Sequence, residues 1–194
     1  MFELPISISI NGKDYPIRNK GDYRTIEDCF IALNDTELTY EYRIATCLVI
    51  FYEQFTCIDD INDEFNTETL SLAVKEMFNF FNCGSENIGS KKPYKLIDWQ
   101  KDEQLVVSSI NAVAYQEIRS VPYLHWWTFM GYFMNIGDCL LSNIVNIREK
   151  IVKGKKLEKH ERQFMMENPQ YFNWERRTEE QIEDDKLLLE LWEE

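Results

Sequence analysis

The sequence predicts a mainly α fold, a multi-helix globular domain with a short N-terminal β-hairpin, and three observations carry that expectation. Apolar residues recur at helical spacing along most of the chain. Only seven Gly and five Pro occur in 194 residues, too few for the many tight turns of a sandwich or barrel of short strands. The exception is the N-terminus, where Leu4-Pro-Ile-Ser-Ile-Ser-Ile10 alternates apolar and polar residues at period two. It runs into Asn11-Gly12, the pair best suited to a type I′ turn.

The hairpin, residues 4–18, would return over Lys13 to Arg18 and stop at Asn19-Lys20-Gly21. Two strands alone are marginal, so it needs helices beneath it or another chain's edge beside it. Asp22 can cap a helix carrying Ile26, Phe30 and Leu33, which Asn34-Asp35 ends. A second helix, from about Thr39, has a wide apolar face of Tyr42, Ile44, Ala45, Leu48, Val49, Phe51, Tyr52 and Phe55 and is expected to be deeply buried. Asp59 to Glu64 reads as an acidic, solvated loop. Asn66 or Thr67 caps a third helix carrying Leu70, Val74, Met77, Phe78 and Phe81, and residues 82–93 read as an exposed connection.

Beyond it, Asp98 to about Ile118 is helical in pattern, with Val106, Ile110, Val113 and Ala114 inward, and Pro122 closes the region. Leu124 to Ile136 is dense in aromatics, and Gly137 ends or bends it. Leu140, Leu141, Ile144, Ile147 and Ile151 mark a further helix, and Leu157 to Glu167 another before Pro169. The sum is six or seven helices in a single domain over 1–169. An acidic C-terminal helix or tail follows over 170–194. From Glu175 to Glu194 there are nine acidic and three basic residues, with Leu187, Leu188, Leu191 and Trp192 among the apolar exceptions. Such a segment is either an amphipathic helix awaiting a partner or a frayed tail.

Charge narrows the function classes. A formal net charge of -13 repels phosphate backbones and anionic lipid surfaces, so bulk nucleic-acid binding is disfavoured. No apolar run approaches the roughly 20 residues of a membrane helix, and the N-terminus has no export pattern, so the cytoplasm is the expected location. Five cysteines without C-x-x-C spacing and two histidines do not make a zinc site and read as buried free thiols.

Chemistry-bearing motifs are mostly absent. There is no phosphate-binding glycine loop and no nucleophile elbow. A calcium loop starting at Asp60 fails, because Phe65 stands where the turn glycine belongs and Ser71 where the bidentate glutamate belongs. Asp98, Asp102 and Glu103 form a carboxylate cluster whose simplest role is to start a helix. His125, beside Trp126 and Trp127, is expected to be a hydrogen-bonded structural imidazole. Arg148 to Arg162 holds seven basic residues against three glutamates. That stretch either grips an anionic partner or is a solvated face neutralised by the acidic tail. No catalytic residue, metal ligand or cofactor site is expected.

Three pieces, Asp98-Trp-Gln-Lys101-Asp102, Leu124-His125-Trp126-Trp127-x-Phe129 and Ile147-Arg148, occur in an order and spacing that resembles the gene-product-fifteen family of phage proteins. These come from long-tailed phages and prophages of Gram-positive bacteria. Lys153-Gly-Lys-Lys-Leu157 and Asn168-Pro169 extend the likeness, which covers about 5–169 and is weakest between Asp59 and Pro93. Where the family often has a glycine followed by Ile-Asp, this chain has Glu117-Ile118-Arg119. The resemblance implies a protein similar to tail assembly chaperones, which bind the tape-measure protein and keep it soluble while tail-tube subunits polymerise around it.

The expectation is therefore a tail assembly chaperone that acts by binding and not by catalysis, with the tape-measure protein as partner and tail-tube subunits or self-association as further contacts. Its candidate partner-binding or core residues are His125, Trp126, Trp127, Phe129, Arg148, Leu188, Leu191 and Trp192. The alternatives are a structural tail component retained in the virion and a nucleic-acid-binding protein using residues 148–162.

Overall fold

A computed structural model describes residues 3–85 and 95–174. The connection read over 82–93 therefore lies largely outside the described residues, as do the acidic tail and its Leu188, Leu191 and Trp192. Among the described residues the chain forms a two-stranded sheet, β1 (Ser7–Ile10) and β2 (Lys13–Pro16), and eight α-helices. These are α1 (Tyr23–Leu33), α2 (Tyr40–Phe51), α3 (Ile58–Glu64), α4 (Thr67–Phe81), α5 (Glu103–Ala114), α6 (Trp126–Met134), α7 (Leu140–Val152) and α8 (Lys159–Glu167). The mainly α class with an N-terminal hairpin is as the sequence predicts. Their contacts gather in two compact units, one of residues 3–85 with Pro122–Met130, the other of residues 95–121 with 131–174.

In the first unit, Ile10 pairs with Lys13 and Ser7 with Pro16. Asn11 and Gly12 take φ of +51° and +81°, the left-handed pair that a type I′ turn requires. The hairpin's need for a neighbour is met locally: β1 packs on α4, Ile17 bridges Tyr52, and Glu53 N–H donates to the Pro16 carbonyl. Arg18 then fastens the end of α2. Its Nε donates to the Ile50 carbonyl, and its Nη2 to those of Val49, Tyr52 and Phe55 at 3.0, 3.1 and 2.6 Å. A guanidinium there satisfies last-turn carbonyls and meets the negative end of the helix dipole.

Asp22 caps α1 by accepting from Arg24 N–H, and α1 packs along α2, where the Cys29 thiol approaches the Cys47 carbonyl. The second helix is buried on one side only: Cys47, Leu48 and Phe51 are inside, whereas Tyr42, expected on the buried face, is 58% exposed. Asp59 to Glu64 is not a loop but α3. Asp60 organises its start, accepting from Thr56 N–H, Thr56 Oγ1 and Cys57 N–H, which holds its carboxyl down at about 2. Glu64 at the other end accepts from Tyr15 Oη and pairs with Lys13, and Ile61 is buried. Acidic density signalled solvent. It also suits a first helical turn, and one buried isoleucine holds the turn to the core. Asn66 caps α4 as predicted.

In the second unit, helix starts at Glu103 and not at Asp98, because the Asp102 carboxylate turns inward to Arg148 and receives Asp98 N–H in place of capping. Val106, Val107 and Ile110 are buried, α5 ends at Tyr115 with φ +55°, and α5 packs on α7. The latter starts at Cys139, whose Sγ accepts from Ser142 N–H. Glu161 holds the start of α8 by accepting from Glu158 N–H, and a turn of 3-10 helix at Pro169–Phe172 leads to Trp174, which is buried. Of residues 170–174, Trp174 is buried and Tyr171 and Phe172 are half-buried in this unit. The five cysteines carry no disulfide. Cys29 and Cys47 are buried as expected, but Cys57 is exposed and Cys83 and Cys139 are half-buried. No described helix is long and apolar enough to cross a membrane.

Candidate functional site

The Leu124-His-Trp-Trp block is structural. Leu124 N–H donates to Asp22 Oδ2, Tyr23 N–H donates to the Leu124 carbonyl, and the block so joins the head of α1. His125 Nδ1 accepts from Trp127 N–H, which leaves Nε2 to carry the proton and donate to the Pro5 carbonyl at 3.0 Å. Burial holds its pKa below the usual 6.5, against the Pro5 bond and the Asp22 charge, so the imidazole is neutral and structural as the sequence suggested.

The two tryptophans cap α4. Trp126 Nε1 donates to the Phe81 carbonyl and Trp127 Nε1 to that of Phe80, both at 2.9 Å. The backbone adds a Schellman pair: Gly84 N–H to the Asn79 carbonyl and Cys83 N–H to the Phe80 carbonyl, with Cys83 left-handed at φ +57°. Phe129 is fully buried, stacked 4.7 Å from Tyr23 and 5.4 Å from Trp126. Stacked aromatic pairs contribute roughly 0.5–1.5 kcal/mol each beyond their burial. His125, Trp126 and Phe129 are therefore core; Trp127 is half-buried and engaged.

Arg148 is not part of a basic surface. It is 1% exposed, and all five of its N–H donors are used. Nη1 bonds the Leu96 carbonyl and Asp102 Oδ2, Nη2 bonds Asp102 Oδ1 and the Tyr171 carbonyl, and Nε bonds the Tyr171 carbonyl again. The guanidinium lies 4.9 Å from the Trp174 ring centre, and Trp174 Nε1 donates to the Lys95 carbonyl. One arginine thus ties residues 95–102, α7 and residues 171–174 together. The first and third pieces of the sequence resemblance, Asp98 to Asp102 and Ile147-Arg148, meet here. Sequence proximity could not reveal this pair, 46 residues apart.

The rest of the basic stretch is partly neutralised within its own unit. Lys150 pairs with Glu161 and Lys153 with Glu149, both at 2.6 Å, beside a cavity of about 570 Å³ that Lys155, His160 and Phe164 also line. Among the described residues no group of three His, Cys, Asp or Glu is placed to hold a metal ion.

Among the described residues, an apolar groove open to solvent lies in the first unit. Tyr40, Glu41, Tyr42, Ile44, Ala45 and Leu48 of α2 form one side, Ile58, Ile61 and Asn62 of α3 another, and Leu70, Ser71 and Val74 of α4 the third. They surround a cavity of about 400 Å³ whose wall is mostly apolar. The groove exists because α2 presents apolar residues over more of its circumference than α1 and α4 cover. The sequence contained that signal, the wide face from Tyr42 to Phe55, but read it as burial. Tyr42, Ile44 and Leu70, not the Leu-His-Trp-Trp block, are the residues so displayed.

The description "Bacteriophage Gp15 protein" belongs to a family model that matches residues 1–173, and the chain is a member of that family. No curated protein and no solved structure matches it.

Proposed function

We propose that this bacteriophage protein is a tail assembly chaperone, which holds the tape-measure protein in solution by reversible binding in the host cytoplasm and performs no catalysis. The groove between α2, α3 and α4 is the observation that carries the proposal: an open apolar channel of about 400 Å³, walled by three helices. A tape-measure protein is a long, largely helical chain that exposes apolar stripes before tube subunits enclose it. A helix laid into an apolar groove buries such a stripe at residues spaced one turn apart. At roughly 25 cal/mol per Å² of apolar surface removed from water, a few leucines give useful affinity while remaining releasable.

Membership of the phage family supports the setting, and the resemblance to tail assembly chaperones supports the role. The nucleic-acid reading loses support, because Arg148 is buried and Lys150 and Lys153 are paired with carboxylates. The test is to co-express the tagged chain with the tape-measure protein of the same phage or prophage. The proposal expects the tape measure to become soluble and to elute with the chain. A tape measure that stays insoluble with and without the chain overturns it.

A further inference from the structure

We propose that the groove on α2, α3 and α4 selects a cationic amphipathic helix, one whose apolar stripe is flanked by Lys or Arg. The inference rests on the groove being the partner site, as argued above, and adds the chemistry of the partner. Its floor is apolar, supplied by Ile44, Leu48, Ile61 and Val74. Its rim is anionic.

Across the three helices there are seven carboxylates, Glu41, Asp59, Asp60, Asp63, Glu64, Glu68 and Glu76, against two cations, Arg43 and Lys75. Arg43 is buried and donates to the Leu38 carbonyl, and counting it and Lys75 leaves an excess of five carboxylates on the three helices. Asp60 is committed to the start of α3, and Glu64 to Lys13 and Tyr15. Glu41 lines the groove itself, and Asp59, Asp63 and Glu68 are exposed on the helices that form its other two walls. Glu41 stands between Tyr40 and Tyr42, and Asp59 follows Ile58, all three of them lining residues. A helix in the groove would therefore lie among three helices that together carry an excess of negative charge. One edged with Glu would meet repulsion at close range, where salt screens incompletely.

The acidic segment 175–194 of this chain has an apolar stripe of its own, but its charge is of the wrong sign for this rim. A separate cationic partner fits better.

The experiment uses the full chain and two labelled helical peptides that share one leucine stripe, flanked by Lys in one and by Glu in the other, with binding read by fluorescence anisotropy. The Lys-flanked peptide is expected to bind about tenfold more tightly at low salt, several weak exposed pairs acting together, and the ratio should shrink as salt rises. Asp59→Lys with Asp63→Lys should reverse the preference. Glu103→Lys with Glu167→Lys, which changes net charge equally in the other unit, should leave it in place. Ile44→Glu should abolish binding, and Ser71→Trp, at an exposed position, blocks the groove without entering the core, should Ile44→Glu fail to fold.

Equal binding of both peptides, or the same reversal from the control pair, overturns the inference. If neither peptide binds while the tape measure is kept soluble, the groove chemistry is wrong and the chaperone reading stands. If the Lys-flanked peptide binds in the groove while the tape measure stays insoluble, the chaperone reading fails and this inference stands.

Discussion

Replacing Arg148 by Met removes a cation that is 1% exposed and leaves behind every group it satisfied. Asp102, 2% exposed, would retain one backbone donor, Asp98 N–H, for its Oδ2 and no partner for Oδ1 among the described residues. The Leu96 carbonyl would lose one charge-assisted bond and the Tyr171 carbonyl two. Breaking a buried pair from one side costs about 3–5 kcal/mol, chiefly because the remaining charge is stranded. Set against a typical total of roughly 5–15 kcal/mol, that is a large share of the protein's stability. The double replacement Asp102→Leu with Arg148→Met removes both charges and should be closer to wild type than either single change. Urea unfolding followed by tryptophan fluorescence reads this directly, since Trp174 lies over the guanidinium. A loss under about 1 kcal/mol for Arg148→Met, or a double variant equal to the sum of the singles, refutes the account of this cluster.

Three further outcomes are expected. Gly21→Ala places a Cβ 2.7 Å from Phe80 Cζ at φ +74°, whereas Gly12→Ala, at φ +81°, meets nothing within 4 Å. The first should cost roughly 2–5 kcal/mol and the second about 1–2 by thermal or urea unfolding, and equal costs contradict the packing described. Trp126→Phe strands the Phe81 carbonyl, while Trp127→Phe leaves the Phe80 carbonyl its bond from Cys83 N–H. The former should therefore be the more destabilising, at about 1–3 kcal/mol for the unmet carbonyl. His125 has a folded pKa below 6.5, so the unfolded chain takes up the proton first as pH falls. Its contribution is whole above 6.5 and is lost progressively as pH drops through the depressed folded value. The stability difference between wild type and His125→Asn should shrink between about pH 7 and 5, and a difference that grows with acid contradicts the assignment.

Much of this fold was legible because its signals are local. Asn11-Gly12, the caps at Asp22 and Asn66, and the breaks at Gly137 and Pro169 each act within a turn of the backbone they shape. The misreadings arose where a residue's partner lies far along the chain. Asp98 to Asp102 resembled a helix start because carboxylates commonly stand there, yet Arg148, 46 residues away, draws Asp102 inward and moves the start to Glu103. Arg148 resembled the head of a basic patch for the same reason. Arg18 was read as a strand end, and its bonds to four carbonyls of residues 49–55 had no sequence signature. For α3, composition misled, since acidic residues mark solvent exposure without deciding between loop and helix. The groove was half legible: its apolar face was seen on α2, but whether neighbours cover that face depends on how α3 and α4 pack.

The central claim, that the α2–α4 groove receives the tape-measure protein, is tested most directly by placing a photo-crosslinking amino acid at position 44, inside the groove, and at position 112, exposed on α5. The chain is then produced during tail assembly and its adducts are identified. The account predicts a tape-measure adduct from position 44 and none from position 112. A tape-measure adduct from position 112 alone, or its absence from both while tails assemble, contradicts it.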